Sequence, residues 1–342
     1  MKKPHPLFLL PTILLFLSGC AANVAPRAAP ENRAPVTNQE IPFFSYEHTT
    51  PNADVTPSWS YESKTHDVFT VSFDSVTAGE RIRAEYWKQK SPGKKKLVIV
   101  LPIIDSIRFV GEHYAHVLTA WNGNNEFNVL LVEDTKKISY LPELSRVKTK
   151  EQMFGVLATA TESIRQYVID VRRLIDWAET RHEIDSKKIG IIGGSVSAYL
   201  ASLVMAADSR IIAGVFDKGG GSWQTFFAYS EEWETMQTRN IILKRFGLTQ
   251  SKFEEIIQTI MRPVDPIRWA NRICPERVLL ISARDDTWIP KESTRRFWEA
   301  LGKPERIEYF ASHKIAFAFS LTILGGHYAD FKIYNHFKKN LD

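Results

Sequence analysis

The sequence predicts a mostly parallel α/β fold, and three observations carry that reading. Unbroken apolar runs of strand length recur along the chain, helix-length segments separate them, and one of those segments carries an apolar stripe at helical spacing. The order begins at residue 66 with HDVFTVSF and RIRAEYWK, two alternating runs joined by the turn-like SVTAGE, which predict an antiparallel hairpin. KKKLVIVLP and FNVLLVED follow, apolar throughout as a strand covered on both faces must be. Ile164, Tyr167, Val168, Val171, Leu174, Ile175 and Ala178 then repeat every 3.6 residues, which predicts a helix lying on the sheet. KKIGIIGG, RIIAGVFDKGGG and RVLLISARDD supply three more buried strands and RIEYF a last one. Residues 222 to about 270 interrupt the alternation with an aromatic helical stretch holding Trp223, Phe226, Phe227, Tyr229 and Trp233. It reads as an inserted helical cap; two peripheral helices with their aromatics facing the core are the alternative.

Composition narrows the function classes. The 342 residues are 44% hydrophobic and 24% charged, which excludes collagen-like, low-complexity and wholly disordered chains. A formal charge of +5, spread along the chain, does not suggest a dedicated nucleic-acid binder. Cys20 and Cys274 are the two cysteines, too few for a disulfide scaffold, and no Cys/His spacing resembles a structural zinc site. Neither a metal nor an organic cofactor is expected.

The first residues, MKKPHPLFLLPTILLFLSGC, place two lysines before an apolar run from Leu7 to Leu17 and small residues after it. That order predicts a signal peptide over residues 1–19, since the run is shorter than the roughly 20 residues that cross a bilayer. LSGC resembles the bacterial lipobox, which implies that Cys20 becomes the lipidated N-terminus, carrying palmitate-type acyl chains. By the sorting rule for such lipoproteins, Ala21 implies the outer membrane, facing the periplasm. Residues 20–45 carry repeated Ala and Pro and read as a semi-extended tether ahead of a domain over 46–342. The expected partners are then a membrane, through the lipid, and a small-molecule substrate.

The chemistry-bearing order starts where KKIGII meets Gly193, Gly194, Ser195, Val196 and Ser197 and continues into the helix-like AYLASLVMAA. A serine on such a strand–turn–helix is lifted above the ends of the parallel strands. RVLLISA leads to Asp285 and Asp286 at the carboxyl end of a strand, where ligand sites of open α/β sheets lie. RIEYF leads through Ala311 and Ser312 to His313. A serine hydroxyl needs an imidazole to take its proton, and the imidazole needs a carboxylate to hold its tautomer. His327, in LGGHY, is the alternative base.

With these residues in place the chain resembles an α/β-hydrolase of the bacterial esterase type, over most of residues 66–342. DVRRLIDWAETRHEIDSKKIGIIGGSVSAYLASL is similar to that family's helix, strand and elbow, and DPIRWANRICPERVLLISARDDTWIPKESTRRFWEALGKPE to its acid-bearing half. The elbow departs from Gly-x-Ser-x-Gly by placing Ser197 where the second glycine stands. The family's acid lies four residues before a proline, which selects Asp286, before Pro290, over Asp285. The resemblance implies a serine hydrolase that cleaves a carboxylic ester through Ser195, His313 and Asp286. Its oxyanion hole would be the N–H of Val196 with that of Ile104 or Ile103, where Pro102, Ile103 and Ile104 replace the usual His-Gly. A thioesterase or peptidase would use the same triad, and a binding lipoprotein of the same fold would use none of it.

Other groups have simpler readings. His113 and His116 are spaced for one helix face but lack a third ligand. Asp217, ending a strand in VFDKGGG, is a second candidate for the acid or a loop carboxylate capping the following turn. Lys94–Lys96 is a solvated approach to a strand, and Gly219–Gly221 lacks the Lys and Ser/Thr of a phosphate loop.

Overall fold

The computed structural model describes residues 21–24, 39, 41–58, 63–102, 108–120, 126–133, 140–320 and 326–342, with side chains left undescribed at 21–24, 108–109, 317–320 and 326–327. Ten strands form one sheet: β1 (Ala21–Val24), β2 (Asp54–Pro57), β3 (His66–Asp74), β4 (Arg81–Gln89), β5 (Lys95–Leu101), β6 (Phe127–Val132), β7 (Ile184–Gly194), β8 (Ile211–Asp217), β9 (Val278–Ala283) and β10 (Glu305–Tyr309). Their spatial order is β1-β10-β9-β8-β7-β5-β6-β4-β3-β2. The run from β6 through β5, β7, β8 and β9 to β10 is parallel, whereas β1–β10, β2–β3, β3–β4 and β4–β6 pair antiparallel. The expected hairpin is β3–β4, in register from His66 opposite Gln89 to Asp74 opposite Arg81.

The helices are α1 (Arg108–Ala120), α2 (Leu141–Arg146), α3 (Lys150–Glu179), α4 (Val196–Ala207), α5 (Trp223–Tyr229), α6 (Trp233–Phe246), α7 (Gln250–Met261), α8 (Pro266–Trp269), α9 (Lys291–Ala300), α10 (His313–Ser320) and α11 (Gly326–Asn340). The apolar stripe falls within α3, which runs farther toward its N-terminus than the stripe does because the Thr149 side chain accepts from the N–H of Gln152 and caps it. All seven stripe residues are buried, each Leu or Ile contributing about 1.5–3 kcal/mol through burial.

Strand periodicity explains why β5 had to be apolar at every position. Leu97, Ile99 and Leu101 enter the core shared with α3 and α4, while Val98 and Val100 enter the core shared with α1 and α11. Four helices, α5 to α8, are inserted between β8 and β9. Trp223 and Phe226 turn inward against Tyr199, at ring distances of 4.7 and 6.3 Å, while Trp233 is exposed.

Two short strands depart from the sequence reading. Residues 21–24, assigned by composition to an extended tether, instead pair along β10, and Asp54–Pro57 pairs along β3. An edge strand needs only backbone groups to satisfy its neighbour, so Ala and Pro content does not exclude it.

The chain leaves β5 toward β6 on one side and returns to β7 on the other. Strand order therefore reverses between β5 and β7, and the carboxyl ends of these two strands border the crevice that such sheets use for ligands.

Candidate active site

β7 ends at Gly194, and Ser195 follows with φ 54° and ψ −127°. A side chain adopts that left-handed conformation at a cost of about 1–3 kcal/mol, held by its surroundings. The Ser195 N–H donates to the Asp217 carbonyl at 2.8 Å, tying the elbow to the end of β8. The turn is so tight that a Cβ on Gly193 would lie 2.3 Å from the Ser197 carbonyl oxygen, which explains the glycine. Ser197, in place of a second glycine, is fully buried and donates its hydroxyl to the carbonyl of Pro102, where the chain leaves β5. Ser197 thus fastens the elbow to the carboxyl end of β5. Val196 opens α4, so its N–H belongs to the first turn that has no acceptor within the helix.

Asp286 follows β9 and is 5% exposed. Its Oδ1 accepts from the backbone N–H of Trp288 and of Ile289, both at 2.9 Å, and its Oδ2 is 2.6 Å from His313 Nδ1. Three hydrogen bonds hold the carboxylate, and charge-assisted bonds of this kind are the strong ones. His313 opens α10 and is buried, with the Trp288 indole stacked on its ring at 5.2 Å. The Lys314 Nζ also lies over the Trp288 ring, at 4.7 Å. Asp285, by contrast, faces solvent near Lys291 at 3.7 Å.

Of the sequence candidates, the structure brings Asp286 and His313 together at the same sheet edge as Ser195 and Val196. Ile104, Ile103 and Cys20 lie outside the described residues, as does the side chain of His327, whose backbone is in the first turn of α11. Among the described residues, Asp217 is neither paired with a histidine nor a turn cap. Both of its oxygens accept from Lys218 Nζ, at 2.8 and 2.7 Å, and Oδ2 also accepts from the Tyr114 hydroxyl. Lys218 is wholly buried and has φ 50°. Burial pushes its ammonium pKa down, opposed by Asp217 and, more weakly, by Asp330 and Asp286. His113 turns to Asp330 at 2.9 Å while His116 packs on Trp87, and no group of three or more His, Cys, Asp or Glu suited to a metal occurs among the described residues.

Sequence reasoning missed the buried Lys218–Asp217–Tyr114 group, the Trp288 stack and the Ser197 tie. The one available signal was an Asp-Lys pair directly after an apolar strand, where a solvated loop is the ordinary expectation.

No protein-family model matches the chain, and none of the curated proteins matches it by sequence. Solved structures do match. Acetyl xylan esterase 1 from Thermoanaerobacterium sp. JW/SL YS485 aligns with a TM-score of 0.59 and 16% identity, over 93% of this chain and 99% of that one. The acetyl xylan esterase from Paenibacillus sp. R4 gives 0.60 and 15%, over 84% and 92%. Acylaminoacyl peptidase from Pyrococcus horikoshii gives 0.54 and 14%, over 81% of this chain and 42% of that one. The likeness is one of fold: this chain has the α/β-hydrolase fold.

Proposed function

We propose that this protein is a lipid-anchored serine hydrolase that cleaves a carboxylic ester through Ser195, His313 and Asp286. The observation that carries the reading is the buried 2.6 Å Asp286–His313 hydrogen bond at the sheet edge where Ser195 sits in a strained turn. Two of the similar structures are acetyl xylan esterases, which favours an ester over a peptide. The LSGC segment ending at Cys20 supports the anchor.

In the first half-reaction Ser195 Oγ attacks the ester carbonyl and gives its proton to Nε2 of His313, because Nδ1 is committed to Asp286. Asp286 stabilises the imidazolium that forms. The carbonyl oxygen becomes an oxyanion, held by the Val196 N–H and a second donor from the loop after β5; each donor contributes about 3 kcal/mol. Collapse breaks the bond to the alcohol oxygen, which takes the proton from His313 and leaves an acyl-serine. Water then repeats the sequence, releasing the acid and restoring the hydroxyl.

The test is hydrolysis of p-nitrophenyl esters of increasing chain length by the full chain in detergent, with fluorophosphonate labelling alongside. Ser195→Ala is expected to abolish labelling, and Ser195→Ala, His313→Ala and Asp286→Asn each to lower kcat about 10⁴-fold or more. His327→Ala is expected to leave most of the turnover. A folded protein that neither turns over nor labels would instead be a binding lipoprotein.

A further inference from the structure

The chain enters the sheet through β1, antiparallel to β10, with Ala21 opposite Tyr309 and Val24 opposite Arg306. Tyr309 is the last residue of β10, and four residues later the chain reaches His313. Residue 20 is one peptide unit from Ala21, about 3.8 Å between Cα atoms. A lipid on Cys20 is therefore attached at the carboxyl edge of the sheet, the edge that holds the candidate active site.

The same edge carries exposed apolar side chains. Phe310 is 43% exposed, Ile315 50% and Trp233 56%. The Arg284 guanidinium lies over Phe310 at 5.1 Å, and the Arg284 N–H donates to the Tyr309 carbonyl. The Glu231 N–H donates to the Thr287 carbonyl, and the Ser230 hydroxyl to that of Trp288, which brings the start of α6 against the loop bearing Asp286. Aromatic and aliphatic residues beside Arg and Lys are what the boundary between lipid headgroups and acyl chains accepts. At the opposite edge stand Lys94, Lys95, Lys96, Lys188 and Lys338, with Glu126, Asp185 and Asp342 among them. These residues are all charged, a composition that water holds better than hydrocarbon does.

We infer that the protein docks on the bilayer by its active-site edge, with Phe310, Ile315 and Trp233 in the interface, and that its substrate is an ester held in that interface. The substrate half rests on the hydrolase reading above; the orientation rests on the anchor and the rim. The acyl chains hold the N-terminus at the bilayer, and the rim supplies a second contact. The rim also fixes which face of the protein meets the membrane.

The test uses the full lipidated chain in phosphatidylethanolamine–phosphatidylglycerol vesicles, with Cys274→Ser as background and a nitroxide at Phe310→Cys, Ile315→Cys or Lys94→Cys. Collisions with oxygen report lipid, and collisions with a water-soluble nickel complex report solvent. Labels at 310 and 315 are expected to favour oxygen and the label at 94 nickel; equal nickel access at 315 and 94, or immersion of 94, overturns the orientation. In the second arm, Trp233→Ser with Ile315→Ser is expected to lower hydrolysis of vesicle-embedded p-nitrophenyl palmitate ~10-fold while changing p-nitrophenyl acetate hydrolysis less than about 2-fold. An equal loss on both esters overturns the substrate half. A parent protein inactive on acetate and unlabelled by fluorophosphonate removes the hydrolase reading and the substrate half with it, while the collision data still decide the orientation.

Discussion

Lys218 places an ammonium group with no exposure against the carboxylate of its own neighbour, directly after the strand that braces the elbow. Two charges taken out of water repay their desolvation only when both are present, so removing one partner costs more than removing both. Lys218→Met is expected to destabilise the protein by about 3–5 kcal/mol, because Asp217 is left buried with the Tyr114 hydroxyl as its one remaining partner among the described side chains. Lys218→Met combined with Asp217→Asn is expected to recover most of that loss, measured as denaturant midpoints. Equal destabilisation in the single and double variants would show that the pair does not act as a unit. Ser195, Asp286 and His313 were legible because each follows an apolar strand at a turn with its own chemistry. Lys218 was not, because Asp-Lys-Gly-Gly-Gly has the composition of a solvated loop, and only the helices packed over that loop exclude water from it.

Among elements, the β7–elbow–α4 unit has the least room to change. A methyl at Gly193 would meet a backbone carbonyl rather than a movable side chain, at 2.3 Å, so the turn itself would have to shift. Gly193→Ala is expected to lower Tm and to lose most turnover, since the shift moves Ser195. Gly155, inside α3 with open space around its Cβ position, supplies the contrast. Gly155→Ala is expected to stabilise by about 0.5–1 kcal/mol without altering activity. If thermal melts show the two substitutions to be alike, the close approach at the elbow is not what constrains it. Elements of this length were readable from the sequence, as β3 to β10 and the α3 stripe illustrate, because many buried side chains repeat one period. β1 and β2 were not, because four residues each, AANV and DVTP, carry too few side chains to establish a period, and backbone pairing to an existing edge forms them.

On the scale of the whole molecule, α11 closes one face of the sheet and brings a buried histidine with it. His336 Nε2 lies 3.2 Å from the Arg277 carbonyl ahead of β9, and Asn340 lies beside its Nδ1. Burial pushes its pKa down to about 4, opposed by the Arg277 carbonyl. The native state therefore keeps this ring neutral where the unfolded chain, near 6.5, already binds a proton. Its contribution is complete above about pH 6.5 and is lost as pH falls toward 4, amounting to about 2 kcal/mol between about pH 7.5 and pH 5. Denaturant melts at the two pH values are expected to show that loss, with a shallower dependence in His336→Asn; an unchanged slope in the variant would assign the acid lability to other groups. At the far rim of the sheet from β1, β2 is four residues long, exposed at each of them, and engages Asp54 with Arg81 at 2.5 Å before ending at Pro57, which has no N–H to offer. Another copy approaching that rim finds a broken row of donors and a charge instead of a template, so the ladder stops there and the outermost strand guards the protein against edge-to-edge polymerisation.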